Sequence, residues 1–246
     1  MSGHSKWATI KHKKGAADAK RGQMFTKLIK EISIAARMGG GDLEGNPRLR
    51  TAVLKARGAN MPKDNIDRAI KKGTGELEGV NYEELTYEAY APGGVAVLIE
   101  VLTDNKNRAA ADVRNILTRA GGNLATAGAV SRLFKRQGII TLDGEKYTED
   151  QIMEVALDGG AEDVALSDGI IEVTTAPEDF ESVMNVLNEK GFETLSAEIS
   201  MVPEAEVALD TDATTKALRL IERLEENDDV QNVYSNIEIP EGFEAE

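Results

Sequence analysis

The stretch IITLDGEKYTEDQIMEVALDGGAEDVALSDGIIEVTTAPEDFESVMNVLNEKGFETLSAEISMV (residues 139–202) switches repeatedly between the strand and helix periods. Residues 139–142 read as a strand and 148–158 as a helix. A second strand is expected at 163–166. Ser167, Asp168 and Gly169 supply a turn into a third strand at 170–174. A helix over 177–190 and a strand over 193–202 complete the run. The order is βαββαβ, the ferredoxin-like one.

Outward from this unit the same alphabet recurs. Upstream, residues 87–91 and 95–103 flank Pro92-Gly93-Gly94 as a hairpin, and VAVLIEVL has the β-branched content of a central strand. Asp104-Asn105 precedes a helix over 106–120, with Val113, Ile116, Leu117 and Ala120 on one face; Gly121-Gly122-Asn123 closes it. A strand is expected over 129–136. Downstream come a helix over 211–226, carrying Leu218, Ile221 and Leu224, and a strand over 230–237. The upstream ββαβ lacks an αβ, and 211–238 supplies one. The expected architecture is α+β and multidomain, with the ferredoxin-like unit inserted into a second α+β domain of similar type. Its boundaries are 79–136 with 204–246 for the interrupted domain and 137–203 for the acidic insert.

Ahead of both lies a small three-helix domain, residues 1–78. Phe25, Leu28, Ile29, Ile32, Ala35 and Ala36 recur at helical spacing within 16–38, and Gly39-Gly40-Gly41 ends that helix. Asn46-Pro47 opens a second helix bearing Leu49, Val53 and Ala56, stopped by Gly58. Pro62 starts a third, with Ile66, Ala69 and Ile70. Residues 73–83 form a linker containing Gly and Glu.

Charge is sorted along the chain. Residues 1–72 hold 17 Lys/Arg against 6 Asp/Glu, a net of +11; residues 73–246 hold 12 against 37, a net of −25, giving the overall −14. A basic head on an acidic body points to a polyanionic partner, with nucleic acid first. A second cationic window, 104–137, carries seven Lys/Arg against Asp104 and Asp112. The candidate contacts are His4, Lys6, Lys11, His12, Lys13, Lys14, Lys20, Arg21, Lys27 and Lys30 in the head, with Arg108, Arg119, Arg132 and Arg136 in the second patch. Salt bridges to the body's many carboxylates are the competing use of those arginines. Trp7, the single tryptophan, either packs on the first helix or stacks on a base.

Catalysis finds little here. The chain has no Cys and only two His, both in the arm, and G-x-S-x-G, H-E-x-x-H and the P-loop pattern are missing. Asp210 and Asp212 look metal-like but sit where a helix begins, where carboxylates cap and answer the dipole. No enzyme activity, metal or cofactor is expected. No run approaches the ~20 apolar residues of a membrane span, and no apolar core follows the basic N-terminus as in a secretory signal. Asp18 and Glu31 argue against a mitochondrial presequence, so the expected location is cytoplasmic, away from membranes.

GHSKWATIKHKK (3–14), DAKRGQMFTKLIKEI (18–32), GGGD (39–42), NPRLR (46–50), NMPKDNIDRAI (60–70), YEAYAPGGVAVLIE (87–100), LTDNKNR (102–108), GGNL (121–124) and GAEDV (160–164) resemble the YebC/PmpR family. The likeness covers nearly the whole chain. It implies three domains, a helical one and two α+β ones, the last inserted in the second. It also implies a DNA-binding regulator of transcription, since family members are described so. Other relatives, including a mitochondrial translational activator, act through the ribosome. The two expectations are therefore binding to duplex DNA or, as the alternative, to ribosomal RNA on the ribosome. No helix-turn-helix spacing, zinc finger or aromatic RNA-binding pattern is present, so backbone and shape are better served than base identity.

Overall fold

In the computed structural model, residues 18–240 and Phe243 are described. They divide into two units: residues 18–129 with Thr215–Val233, and Val130–Thr214 with 234–240 and 243.

The first unit begins with three helices: α1 (Asp18–Gly39), α2 (Pro47–Gly58) and α3 (Lys63–Thr74). Ile32, Ala35, Ala36, Leu49, Val53, Ala56, Ile66 and Ala69 close into one buried cluster, with Phe25, Leu28, Ile29 and Ile70 packed at its margin. These are the positions that helical periodicity picks out. Gly40 adopts φ +84° and its N–H donates to the Ala36 carbonyl at 2.9 Å, which ends α1. Asn46 caps α2: its Oδ1 accepts from the Leu49 N–H at 3.1 Å, while its Nδ2 donates to the Ala35 and Gly40 carbonyls.

The same unit then builds a sheet of order β3-β1-β2-β9. Strand β1 (Glu83–Ala91) runs antiparallel to β2 (Val95–Thr103), in register from Glu83↔Thr103 to Ala91↔Val95. The first strand thus starts four residues before the sequence expectation of 87, because its nine-residue partner has hydrogen bonds to offer along its full length. Helix α4 (Lys106–Arg119) buries Ala109, Val113 and Leu117 and leads to the short β3 (Asn123–Leu124), which pairs with β1. Strand β9 (Val230–Ser235) lies on the other side of β2. All but one residue of β2 is buried, as befits a strand paired on both edges.

The second unit is built on β4 (Phe134–Asp143), β5 (Ala161–Ser167), β6 (Ile170–Thr175) and β7 (Thr194–Pro203), in the antiparallel order β5-β6-β4-β7. Helices α5 (Glu149–Asp158) and α6 (Phe180–Glu189) cover one face through Ile152, Ala156, Val183 and Leu187. This is the ferredoxin-like arrangement expected from the order of elements. A two-stranded pair, β8 (Val207–Ala208) with β10 (Ile237–Glu238), and the start of α7 (Thr211–Glu225) also belong here.

One expected strand differs. Residues 129–136 do not form a strand of their own: Leu133 N–H bonds the Val130 carbonyl at 2.9 Å, closing a short turn. The strand starts at Phe134 and runs through Gly138 without a break. Gly138 there is a packing residue. A Cβ at this position would lie 2.3 Å from Thr175 Oγ1 and 2.6 Å from a Phe180 ring carbon. The α+β multidomain class expected from the sequence is the class observed.

Candidate nucleic-acid interface

The cationic residues of α1 divide by direction. Gln23, Lys27 and Lys30 stand at i, i+4 and i+7, one stripe of the helix. Each donates to a backbone carbonyl where α7 ends: Gln23 to Glu226, Lys27 to Glu225 at 2.5 Å, and Lys30 to Asp228 at 2.8 Å. Terminal carbonyls of a helix lack intrahelical donors, and cations near them meet the negative end of the dipole. Lys27 and Lys30, candidate phosphate contacts in the sequence, thus join Gln23 in capping a helix about 200 residues away in the chain.

Lys30 goes furthest inward. It is 7% exposed and forms an ion pair with Asp229 at 2.7 Å, with its ammonium 5.7 Å from the centre of the Tyr82 ring. Asp229 also receives Arg108 at 2.8 Å and the Thr103 hydroxyl at 3.0 Å, and Arg108 reaches on to Asp104 at 2.7 Å. Burial pushes the Asp229 carboxyl up, but the donated bonds from Lys30 and Arg108 outweigh it and hold the group below the usual carboxylate range. Bonding to Asp229 and then to Asp104 holds the Arg108 guanidinium above its ordinary value. Lys30 and Arg108, both candidate contacts, are therefore engaged by the protein's own carboxylates.

The remaining candidates are solvent-exposed where they are described. Arg21 is exposed in the first turns of α1, Arg119 is exposed in the last turn of α4, and Arg132 and Arg136 are exposed at and just beyond the turn before β4. His4, Lys6, Trp7, Lys11, His12, Lys13 and Lys14 lie outside the described residues, as does the side chain of Lys20.

Further cations on the helical face were not among the sequence candidates. Arg57 on α2, and Lys63, Arg68, Lys71 and Lys72 on α3, are exposed, and none has an ion-pair partner among the described residues. Their signal was present: they stand off the Leu49/Val53/Ala56 and Ile66/Ala69/Ile70 stripes. By contrast Arg48 is spoken for, held by Glu31 at 2.7 Å and Glu84 at 2.5 Å. Bonding to Glu31 raises its guanidinium, burial opposes this, and Glu84 adds to the rise.

Carboxylates make no comparable site. Asp210 caps α7, accepting the Ala213 N–H at 2.8 Å. Among the described residues no group of three or more His, Cys, Asp or Glu is placed to hold a metal, and no helix is long and apolar enough to cross a membrane.

The family described as TACO1/YebC protein N-terminal domain matches residues 5–76, and TACO1/YebC second and third domain matches residues 82–237. A protein of Treponema denticola, named a probable transcriptional regulatory protein, is 71% identical over 99% of both chains. One of Borreliella burgdorferi with the same name is 58% identical, over 98% of this chain and 99% of its own. The crystal structure of a conserved hypothetical protein from Aquifex aeolicus superposes with a TM-score of 0.83 at 47% identity, covering 91% of this chain and 93% of that one.

Proposed function

The chain belongs to the TACO1/YebC family, and from that premise we propose that it is a non-enzymatic, cytoplasmic regulator of transcription that binds duplex DNA. The observation that carries the reading is the set of exposed cations Arg57 on α2 and Lys63, Arg68, Lys71 and Lys72 on α3, without an ion-pair partner among the described residues, in a chain of net charge −14. Positive side chains with no carboxylate of their own release counterions when they meet phosphates, which favours binding. The acidic remainder repels a polyanion and so confines contact to the basic side. The names borne by the relatives support a regulatory role.

The contact set consists of the arm residues His4, Lys6, Lys11, His12, Lys13 and Lys14, then Lys20 and Arg21, joined by Arg57 of α2 and Lys63, Arg68, Lys71 and Lys72 of α3, while Lys27, bonded to the Glu225 carbonyl, flanks the set. Arg119 on one unit, and Arg132 and Arg136 on the other, are the further contacts of this reading. Lys30 and Arg108 contribute by positioning, through Asp229. The domains that go with this reading are 1–78, 79–136 with 204–246, and an inserted 137–203. The shared sheet of β1, β2 and β9 supports the interrupted one.

A second reading, contact with ribosomal RNA, is favoured by the chemistry of α2, whose exposed cations are Lys55 and Arg57 and which carries no Asn, Gln or aromatic side chain for a base edge. Crosslinking the protein to nucleic acid in cells and sequencing what is attached separates the two. Enrichment of promoter DNA is the expected result; ribosomal RNA alone would replace the first reading with the second.

A further inference from the structure

The acidic body, residues 73–246, sets 12 Lys/Arg among 37 Asp/Glu, so carboxylates are at hand for every cation. Lys106, Arg108, Lys135 and Lys146 each hold one. Five others sit exposed on two helices of the first unit, with no ion pair among the described residues: Arg114 and Arg119 on α4, and Lys216, Arg219 and Arg223 on α7. The two helices are neighbours. A Cβ on Gly122 would lie 3.2 Å from the Leu220 side chain of α7 and 3.5 Å from that of Leu117 of α4, so both close over the same glycine. At about 100° per residue, Arg114 lies about 60° round α4 from Leu117, while Lys216 and Arg223 lie about 40° and 60° round α7 from Leu220. Those three cations border the seam between the helices.

Helix α4 also carries what α2 lacks. Asn107, Ala111, Asn115 and Thr118 recur at i, i+4, i+8 and i+11 on one exposed face, with Arg114 beside them. The Thr118 hydroxyl donates to the Arg114 carbonyl at 2.8 Å, whereas the amides of Asn107 and Asn115 make no side-chain hydrogen bond among the described residues. No Asp or Glu stands on this face; Asp112 is half-buried to one side. A side-chain amide pairs bidentately with adenine N6 and N7, a guanidinium with guanine O6 and N7, and an alanine methyl with the thymine methyl. The dimensions agree. The major groove of B-form DNA, about 12 Å wide, admits one helix. A helix packed beside it, about 8–10 Å away, falls on the bordering phosphates. The deep, narrow major groove of A-form RNA excludes side chains, so the chemistry of this face selects B-form DNA.

We infer that α4 enters the major groove of duplex DNA and reads base edges through Asn107, Asn115 and Arg114, while Lys216, Arg219 and Arg223 of α7 hold the phosphates along its border. This rests on the duplex reading above and deepens it. The cations of α2 and α3 supply affinity for any sequence, and α4 supplies the choice among sequences.

The test lets the full chain select from a pool of DNA duplexes with a randomised centre, and measures affinities for the selected and unselected pools by fluorescence anisotropy. The wild type should enrich a motif containing adenine. Asn107→Ala with Asn115→Ala should bind the unselected pool like the wild type but lose about tenfold of the preference for the motif, as loss of a bidentate base contact does. Replacing Lys216, Arg219 and Arg223 with Gln should weaken binding to every sequence and lower the slope of log affinity against log salt by up to about 3. Circular dichroism verifies that each variant is folded, and Ser replaces Ala at either Asn position where it is not. A wild type that binds the pool yet enriches no motif overturns the inference and leaves the duplex reading standing. So does a motif that survives the double Asn substitution, or a salt slope unmoved by the α7 substitutions. A wild type that binds no duplex, or prefers a helical RNA hairpin at equal salt, removes both.

Discussion

At the scale of the residue, Asp229 has the largest consequences. It is 5% exposed and accepts from two cations and a hydroxyl. Removing one member of a buried, hydrogen-bonded pair leaves the other charge unsatisfied, which costs about 3 kcal/mol or more. Asp229→Asn should therefore lower unfolding free energy by about that amount in urea titrations. Adding Lys30→Met should recover part of the loss, since an apolar side chain replaces the stranded ammonium. The pH dependence has a definite sign. The carboxyl of Asp229 is held below its unfolded value, so its contribution is complete above the ordinary Asp range. It disappears as pH falls through the folded value, below about pH 4. An acid titration of wild type should show this limb, and Asp229→Asn should flatten it.

At the scale of the element, two side-chain positions decide how the helical bundle closes. Asn46 is 5% exposed and satisfies groups from the end of α1 and the start of α2 together. Asn46→Ala should cost about 2 kcal/mol, the upper part of the range for an N-cap, read by thermal or urea unfolding. Gly73 lies inside α3, where propensity alone would make Ala more stable by about 1 kcal/mol. The neighbour it would strike is backbone at 2.3 Å, which cannot rotate away. Gly73→Ala should thus destabilise, by about 1–3 kcal/mol, and melting experiments will give the sign directly. Much of this level was legible beforehand. Apolar spacing located α1, α2 and α3, and Asn46-Pro47 announced the cap. Where reading failed, the cause was tertiary. Gly138 resembles a break in the sequence, yet it is a close approach inside β4 to Phe180, forty-two positions on. Lys27 and Lys30 resemble open cations, and nothing local reveals that the end of α7 lies beside them. Charge runs report composition, whereas pairing depends on the fold.

At the scale of the whole molecule, segregated charge governs how the protein should respond to its medium. Each phosphate neutralised contributes about −0.9 to the slope of log affinity against log salt on duplex DNA. Replacing Arg57, Arg68 and Lys71 together with Gln should reduce that slope by up to about 3 and weaken binding across sequences alike. Fluorescence anisotropy at several salt concentrations measures both. Truncation at residue 210 removes β9 and the carboxylate of Asp229 in one step, leaving β2 with an unpaired edge. Such a chain should aggregate, which light scattering will report. The pairing of Lys30 with Asp229 also spans 199 positions. The ribosome makes the front half of that sheet long before its missing neighbour exists. Until residues 230–235 emerge, β2 waits half-clad, so a nascent chain paused in between is the form most in need of a chaperone.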